Sequence, residues 1–140
     1  MSLSIRNRMP GTVAGITTGA VMATVRIDVS GGRELTAAVT AEAVRELGLE
    51  TGSRVHALVK ATEVALATGP VSGLSIRNRL PGTVSEVSAG PAMASVRIAV
   101  EGGVELTAAI TADAADELRL TAGTPVIALI KSTEVSLDAA

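Results

Sequence analysis

No cysteine, phenylalanine, tyrosine or tryptophan occurs in the 140 residues, and His56 is the single histidine. Without cysteine there is no disulfide, thiolate metal ligand or thiol nucleophile, and one imidazole cannot build a multi-histidine metal site. The absence of aromatics removes the stacking platform on which single-stranded nucleic acid is held. It also leaves the core to Val, Ile, Leu, Ala and Met. An excess of charge of one sign is missing too: 12 Lys+Arg against 14 Asp+Glu leave a net charge of −2. Net charge therefore draws in neither nucleic acid nor an anionic membrane, and any anion site must be local. No apolar run approaches a membrane span, and the opening residues up to Arg8 lack the apolar stretch of a signal peptide. A soluble protein with a cytoplasmic address is the expectation. What is present is apolar: 47% hydrophobic and only 19% charged residues exclude a disordered chain.

A repeat organises the sequence. Leu3-Ser-Ile-Arg-Asn-Arg8 returns as Leu74-Ser-Ile-Arg-Asn-Arg79, an offset of 71 residues. The same offset carries Pro10-Gly-Thr-Val13 onto Pro81-Gly-Thr-Val84, Glu34-Leu-Thr-Ala-Ala38 onto Glu105-Leu-Thr-Ala-Ala109, and Thr62-Glu-Val64 onto Thr133-Glu-Val135. Two domain-sized copies make a tandem duplication and not a solenoid, which needs at least about three short units. The expected division is a first domain over 1–67, a linker over 68–73 rich in Gly, Pro and Ser, and a second domain over 74–140.

Within a copy the apolar period is two, as in Val21, Ala23, Val25, Ile27 and Val29. That pattern predicts a half-buried strand. Gly31-Gly32 and Gly102-Gly103 predict turns into second strands over Arg33–Thr40 and Val104–Thr111. A short helix follows, with Thr40 or Thr111 as cap, Glu42 or Asp113 in its first turn and Gly48 closing the first copy. Strands resume over Val55–Ala61 and Val126–Ser132, and again over Glu63–Leu66 and Glu134–Leu137. Met22 and Met93 are read as packing residues, and His56, which aligns with Ile127, as half-buried filler. The fold class expected is mainly β: two OB-like five-stranded Greek-key barrels, each with one short helix. A half-chain of about 70 residues without aromatics buries little area, so strand exchange between the copies and a homo-oligomer are expected.

The candidate chemistry is that of anion donors. Ser4 and Arg6 lie two residues apart, which places both on one face of an extended segment. Lys60 and Lys131 end strands whose inward residues are Val55, Ala57 and Val59, or Val126, Ala128 and Ile130. Thr40 and Thr111 add a hydroxyl and free backbone N–H groups at a helix start. Such a set suits a tetrahedral oxyanion, whose oxygens all accept and whose charge a nearby carboxylate would repel. Arg6/Arg77 and Lys60/Lys131 persist in both copies, whereas Arg33/Val104, Arg45/Asp116 and Arg54/Pro125 have diverged. Arg8/Arg79 and Arg26/Arg97 persist as well and are equally compatible with a structural role. The repeated glutamates Glu34/Glu105, Glu46/Glu117 and Glu63/Glu134 are read as ion-pair or rim residues.

The ordered set Ser-x-Arg-Asn-x-(Met/Leu)-x-Gly-x-Val, Gly-Ala-Val-x-Ala, Gly-Gly-x-Glu-Leu-Thr, Leu-x-Leu-x-x-Gly and Val-Lys-Ala or Ile-Lys-Ser closely resembles the molybdate-binding Mop (TOBE) domain, over nearly the whole chain. Two such domains resemble a bidomain molbindin, a small cytoplasmic protein for molybdate or tungstate. The resemblance implies strand exchange between the halves, assembly of three chains, and oxyanion sites between subunits. It assigns Ser4, Arg6, Thr40, Lys60 and the Ala61 backbone N–H to one class of oxyanion site, with Ser75, Arg77, Thr111, Lys131 and Ser132 as counterparts. No metal is bound directly by protein ligands and no cofactor is implied; molybdenum would arrive as molybdate. Two departures bear on a second class of site. Met22 and Met93 stand where the family often has Asn or Thr, and Pro91, in place of Ala20, has no N–H.

The leading expectation is thus a binding protein that stores or buffers molybdate, with no nucleic-acid or membrane partner. The alternative in another class is a molybdate-responsive regulatory module acting on a partner protein. An oligonucleotide binder fits the fold but lacks aromatics and a basic groove. An enzyme lacks a nucleophile, base and metal set.

Overall fold

The computed structural model describes residues 2–139; the outermost positions of the two expected domains, 1 and 140, lie outside the described residues. Each copy begins with a 12-residue strand, β1 (Asn7–Thr18) or β6 (Asn78–Ala89), which the period-two reading did not single out. Hairpins lead to β2 (Met22–Val29) and β3 (Arg33–Thr40), or β7 (Met93–Val100) and β8 (Glu105–Thr111). The helices α1 (Ala41–Glu46) and α2 (Ala112–Glu117) follow. The remaining strands are β4 (Arg54–Val59) and β5 (Ala65–Ala67), then β9 (Pro125–Ile130) and β10 (Ser136–Ala139). The last strands are displaced from expectation because Ala61–Glu63 and Ser132–Glu134 form single 3-10 turns.

Two curled antiparallel sheets result, with orders β10-β4-β1-β2-β3 and β5-β9-β6-β7-β8. The final strand of each copy is exchanged: β10 pairs with β4, Leu137 opposite Ala57, and β5 pairs with β9, Leu66 opposite Ala128. A sheet is therefore built from both copies of the sequence. β1 and β6 serve two neighbours because each bends at a bulge, between Val13 and Gly15 or between Val84 and Glu86. Gly11 and Gly82 make the tight curl possible. A Cβ on Gly11 would lie 2.6 Å from Ile27 Cγ2 and 2.7 Å from the Asp28 carbonyl oxygen, and one on Gly82 would lie 2.6 Å from the Ala99 carbonyl oxygen.

The core is made of β-branched and aliphatic side chains, including Val25, Ile27, Leu35 and Val59 in one half and Val96, Ile98, Leu106 and Ile130 in the other. Burial of each contributes about 1.5–3 kcal/mol, and numerous close-fitting small residues replace the few large rings of an ordinary core. The inward residues of β4 and β9 are Val55, Ala57, Val59, Val126, Ala128 and Ile130, all buried. Val21 is a correction: it precedes β2 and is 73% exposed. Met22 and Met93 are likewise not packing residues, being 45% and 48% exposed. Both open their strands on the outward phase, opposite Thr40 and Thr111. His56 is half-buried, but it is more than filler: its Nδ1 lies 2.8 Å from Asp138 Oδ1 on the exchanged strand β10, with Arg8 3.8 Å from the same carboxylate.

Candidate oxyanion site

The cations are brought together by strand register. Asn7 pairs with Val59 at the end of the β1–β4 ladder, so Arg6 and Lys60 leave the sheet side by side. Asn78 pairs with Ile130 in the same way, and Arg77 and Lys131 leave together. In the second copy Ser75, Arg77, Lys131 and Ser132 line one cavity of about 280 Å3 with Ile76 and Thr133. Four of the five counterparts expected there thus converge.

Local hydrogen bonds hold the guanidinium groups. Arg77 Nε donates to the Ser75 carbonyl at 3.0 Å and its Nη2 to the Leu74 carbonyl at 2.7 Å. Arg6 repeats this, donating to the Ser4 carbonyl at 2.9 Å and the Leu3 carbonyl at 3.1 Å. Each arginine folds back on its own segment, which is not a strand, and Nη1 keeps its donors. Among the described residues no carboxylate lies within ion-pair distance of Arg6, Lys60, Arg77 or Lys131. None of the four is therefore ion-paired among the described residues. Glu105 is an ion-pair residue as expected, 3.9 Å from Arg97.

Ser132 carries a further signal. Its Oγ is buried and, among the described residues, is the one such side-chain polar atom with no hydrogen-bond partner. An unsatisfied buried hydroxyl costs about 1–3 kcal/mol, and an oxyanion in this cavity would supply the missing acceptor. The first copy has Ala61 at this position and offers no hydroxyl.

Thr40 and Thr111 stand apart. Each is the cap of its helix, with Oγ1 accepting from the N–H of Ala43 or Ala114 at 3.0 Å. Thr111 does not line the cavity of its counterparts. Both threonines are exposed, and a hydroxyl that accepts from a cap N–H retains its proton to donate outward. Arg79 has a structural task, donating to the Leu74 carbonyl at 2.6 Å and the Ile76 carbonyl at 3.1 Å.

Sequence reasoning missed Asn7 and Asn78 as structural agents. They are the two buried polar residues among the described residues, each 3% exposed. Asn7 Nδ2 donates to the Thr107 carbonyl at 2.8 Å and its Oδ1 accepts from the Thr107 N–H at 2.8 Å. Asn78 makes the same pair of bonds to Thr36, at 2.9 and 2.8 Å. The repetition of Asn in both copies was visible; its partner 100 residues away was not.

The TOBE domain model matches the chain twice, over residues 3–66 and 74–137. The molybdenum transport protein ModE of Herbaspirillum seropedicae is 37% identical over 136 residues, 96% of this chain and 51% of that protein. The molybdenum-pterin-binding protein MopA of Rhodobacter capsulatus is 39% identical over 98% of this chain and 52% of its own length. The chain thus spans about half the length of these curated relatives. Among solved structures, the cytoplasmic molybdate-binding protein ModG with molybdate bound superposes with a TM-score of 0.96 at 42% identity, covering 100% of both chains. With two matched segments, two equivalent cation clusters and one shared architecture, the chain belongs to the TOBE domain family and carries that domain in duplicate.

Proposed function

We propose that the chain is a cytoplasmic binding protein for molybdate, and also for tungstate, serving storage or homeostasis. The observation that carries this reading is the cavity of Ser75, Arg77, Lys131 and Ser132, whose cations have no ion-pair partner and whose buried serine hydroxyl has no hydrogen-bond partner among the described residues. The molybdate bound to the similar ModG structure supports the choice of anion. Ser4, Arg6, Lys60 and the Ala61 backbone N–H form the equivalent cluster in the first half. Thr40 and Thr111, exposed caps of their helices, complete the sites of neighbouring subunits in a trimer. The chain acts by binding and not by catalysis. Its donors neutralise a dianion without a nucleophile or cofactor.

The experiment is calorimetric titration of anion-free protein with molybdate, tungstate, sulfate and phosphate. Molybdate and tungstate should bind at least about tenfold more tightly than sulfate, because fixed donors spaced for the larger tetrahedron leave the smaller one with stretched hydrogen bonds. Phosphate, protonated at neutral pH, needs an acceptor that a donor-rich site does not provide. Equal affinity for all four anions would remove the assignment.

A second reading, a molybdate-responsive module acting on a partner protein, draws on one fact: the ModE relative is about twice the length of this chain. Pull-down with and without molybdate separates it, since a store captures no partner in an anion-dependent way.

A further inference from the structure

The buried asparagines stand where the cation pairs leave their ladders. Arg6 precedes Asn7 and Lys60 follows Val59, the residue paired with Asn7; Arg77 and Lys131 flank Asn78 and Ile130 in the same way. Thr107 lies on β8 and Thr36 on β3, each the edge strand of the opposite sheet. An edge strand turns unpaired N–H and C=O groups outward. The asparagine amide meets both groups of one residue, as a further strand would. The 3-10 turn after Lys60 packs on the same β8, and the turn after Lys131 on β3. Each Arg/Lys pair is therefore mounted twice, on its own ladder and on the edge of the other half.

We propose that Asn7 and Asn78 are positioning residues for the oxyanion clusters, holding each Arg/Lys pair against the opposite half before an anion arrives. The proposal rests on the oxyanion reading above. Donors held in place in advance lose little freedom on binding, so loosening the mount weakens affinity even in a chain that stays folded.

The test titrates molybdate into full-length wild type, Asn7→Ala, Asn78→Ala and Asn7→Asp, with circular dichroism recording fold and melting. Each alanine variant should show a two-phase isotherm in which one class of site is at least about tenfold weaker. Asn7→Asp is the discriminating variant. A protonated carboxyl has the amide's shape and its donor–acceptor pair, whereas a carboxylate only accepts and faces the Thr107 carbonyl oxygen. Burial raises the pKa of such a group and the neighbouring Arg6 and Lys60 charges oppose the rise, so binding should be weak near pH 8 and recover toward wild type as the pH falls toward 5, while Asn7→Ala stays weak throughout.

Wild-type affinity in all three variants, with lower melting temperatures, would make the asparagines fasteners of the fold alone and overturn the proposal. So would an Asn7→Asp chain that stays folded toward pH 5 without recovering affinity there, where the protonated acid should rebuild the clasp; if only Asn7→Ala fails to fold, the aspartate profile decides. A wild-type chain that ignores molybdate defeats the oxyanion reading itself, and this proposal with it.

Discussion

Lys60 and Lys131 show how little a residue's contribution to the fold need match its contribution to binding. Both are exposed, both cap a 3-10 turn without a side-chain bond, and neither has a carboxylate partner among the described residues. Removing them subtracts charge and leaves the core untouched. A charge-assisted hydrogen bond is worth about 1.5–3 kcal/mol, so Lys60→Ala combined with Lys131→Ala should weaken molybdate binding by about 10- to 100-fold with an unchanged far-ultraviolet spectrum. Unchanged affinity in a calorimetric titration would take the lysines out of the site.

At the scale of elements, the duplication makes each half a control for the other. Both helices end on a residue with positive φ: Gly48 at 62° in the first copy, and Arg119 at 54° in the second. Glycine adopts this conformation freely, whereas a side chain is strained there. Arg119→Gly should therefore stabilise the protein, by up to about 1 kcal/mol after the added freedom of the unfolded chain is set against it. A lower melting temperature would show that Arg119 makes compensating interactions. The exchanged strands differ too. β10 carries Asp138 to His56 and Arg8, while the matching position in β5 is Ala67, opposite Ile127. One exchange has an ion-paired fastening that the other lacks.

For the whole molecule, the exposed Val21, Met22 and Met93 and the outward-facing Thr40 and Thr111 gather near the helix starts, where the Ala41 N–H donates to the Val21 carbonyl. In the trimer proposed above these residues are covered, and a ligand bound only by the assembled form stabilises it by mass action. Molybdate at about 100 times its dissociation constant should add about 2.7 kcal/mol and raise the melting temperature. Light scattering should find the oligomer before any anion is added. Circular dichroism is the appropriate probe of melting, since intrinsic fluorescence has no Trp or Tyr to report. A monomer whose molybdate affinity is unchanged on dilution would place the site within a single chain.

What the sequence by itself determined had a short range or an exact repeat. The period of two marked β2, β4 and their counterparts, the Gly-Gly turns marked β3 and β8, the 71-residue offset marked the duplication, and Thr40 and Thr111 marked the helix starts. The retained Arg/Lys pairs pointed to the cluster that the ladder ends bring together. Strand exchange was expected from the weakness of a half-sized core, but its pairing partners depended on tertiary structure. β1 escaped because Pro10, Gly11 and a bulge interrupt its alternation, and the twist that makes room for them exists only once β2 and β4 lie on either side. Met22 and Met93 were misread because their hydrophobicity outweighed their phase: each opens its strand on the face opposite the buried alternation. The bonds from Asn7 to Thr107 and from Asn78 to Thr36 were beyond any local pattern, since a buried amide is satisfied by whichever backbone the fold brings to it.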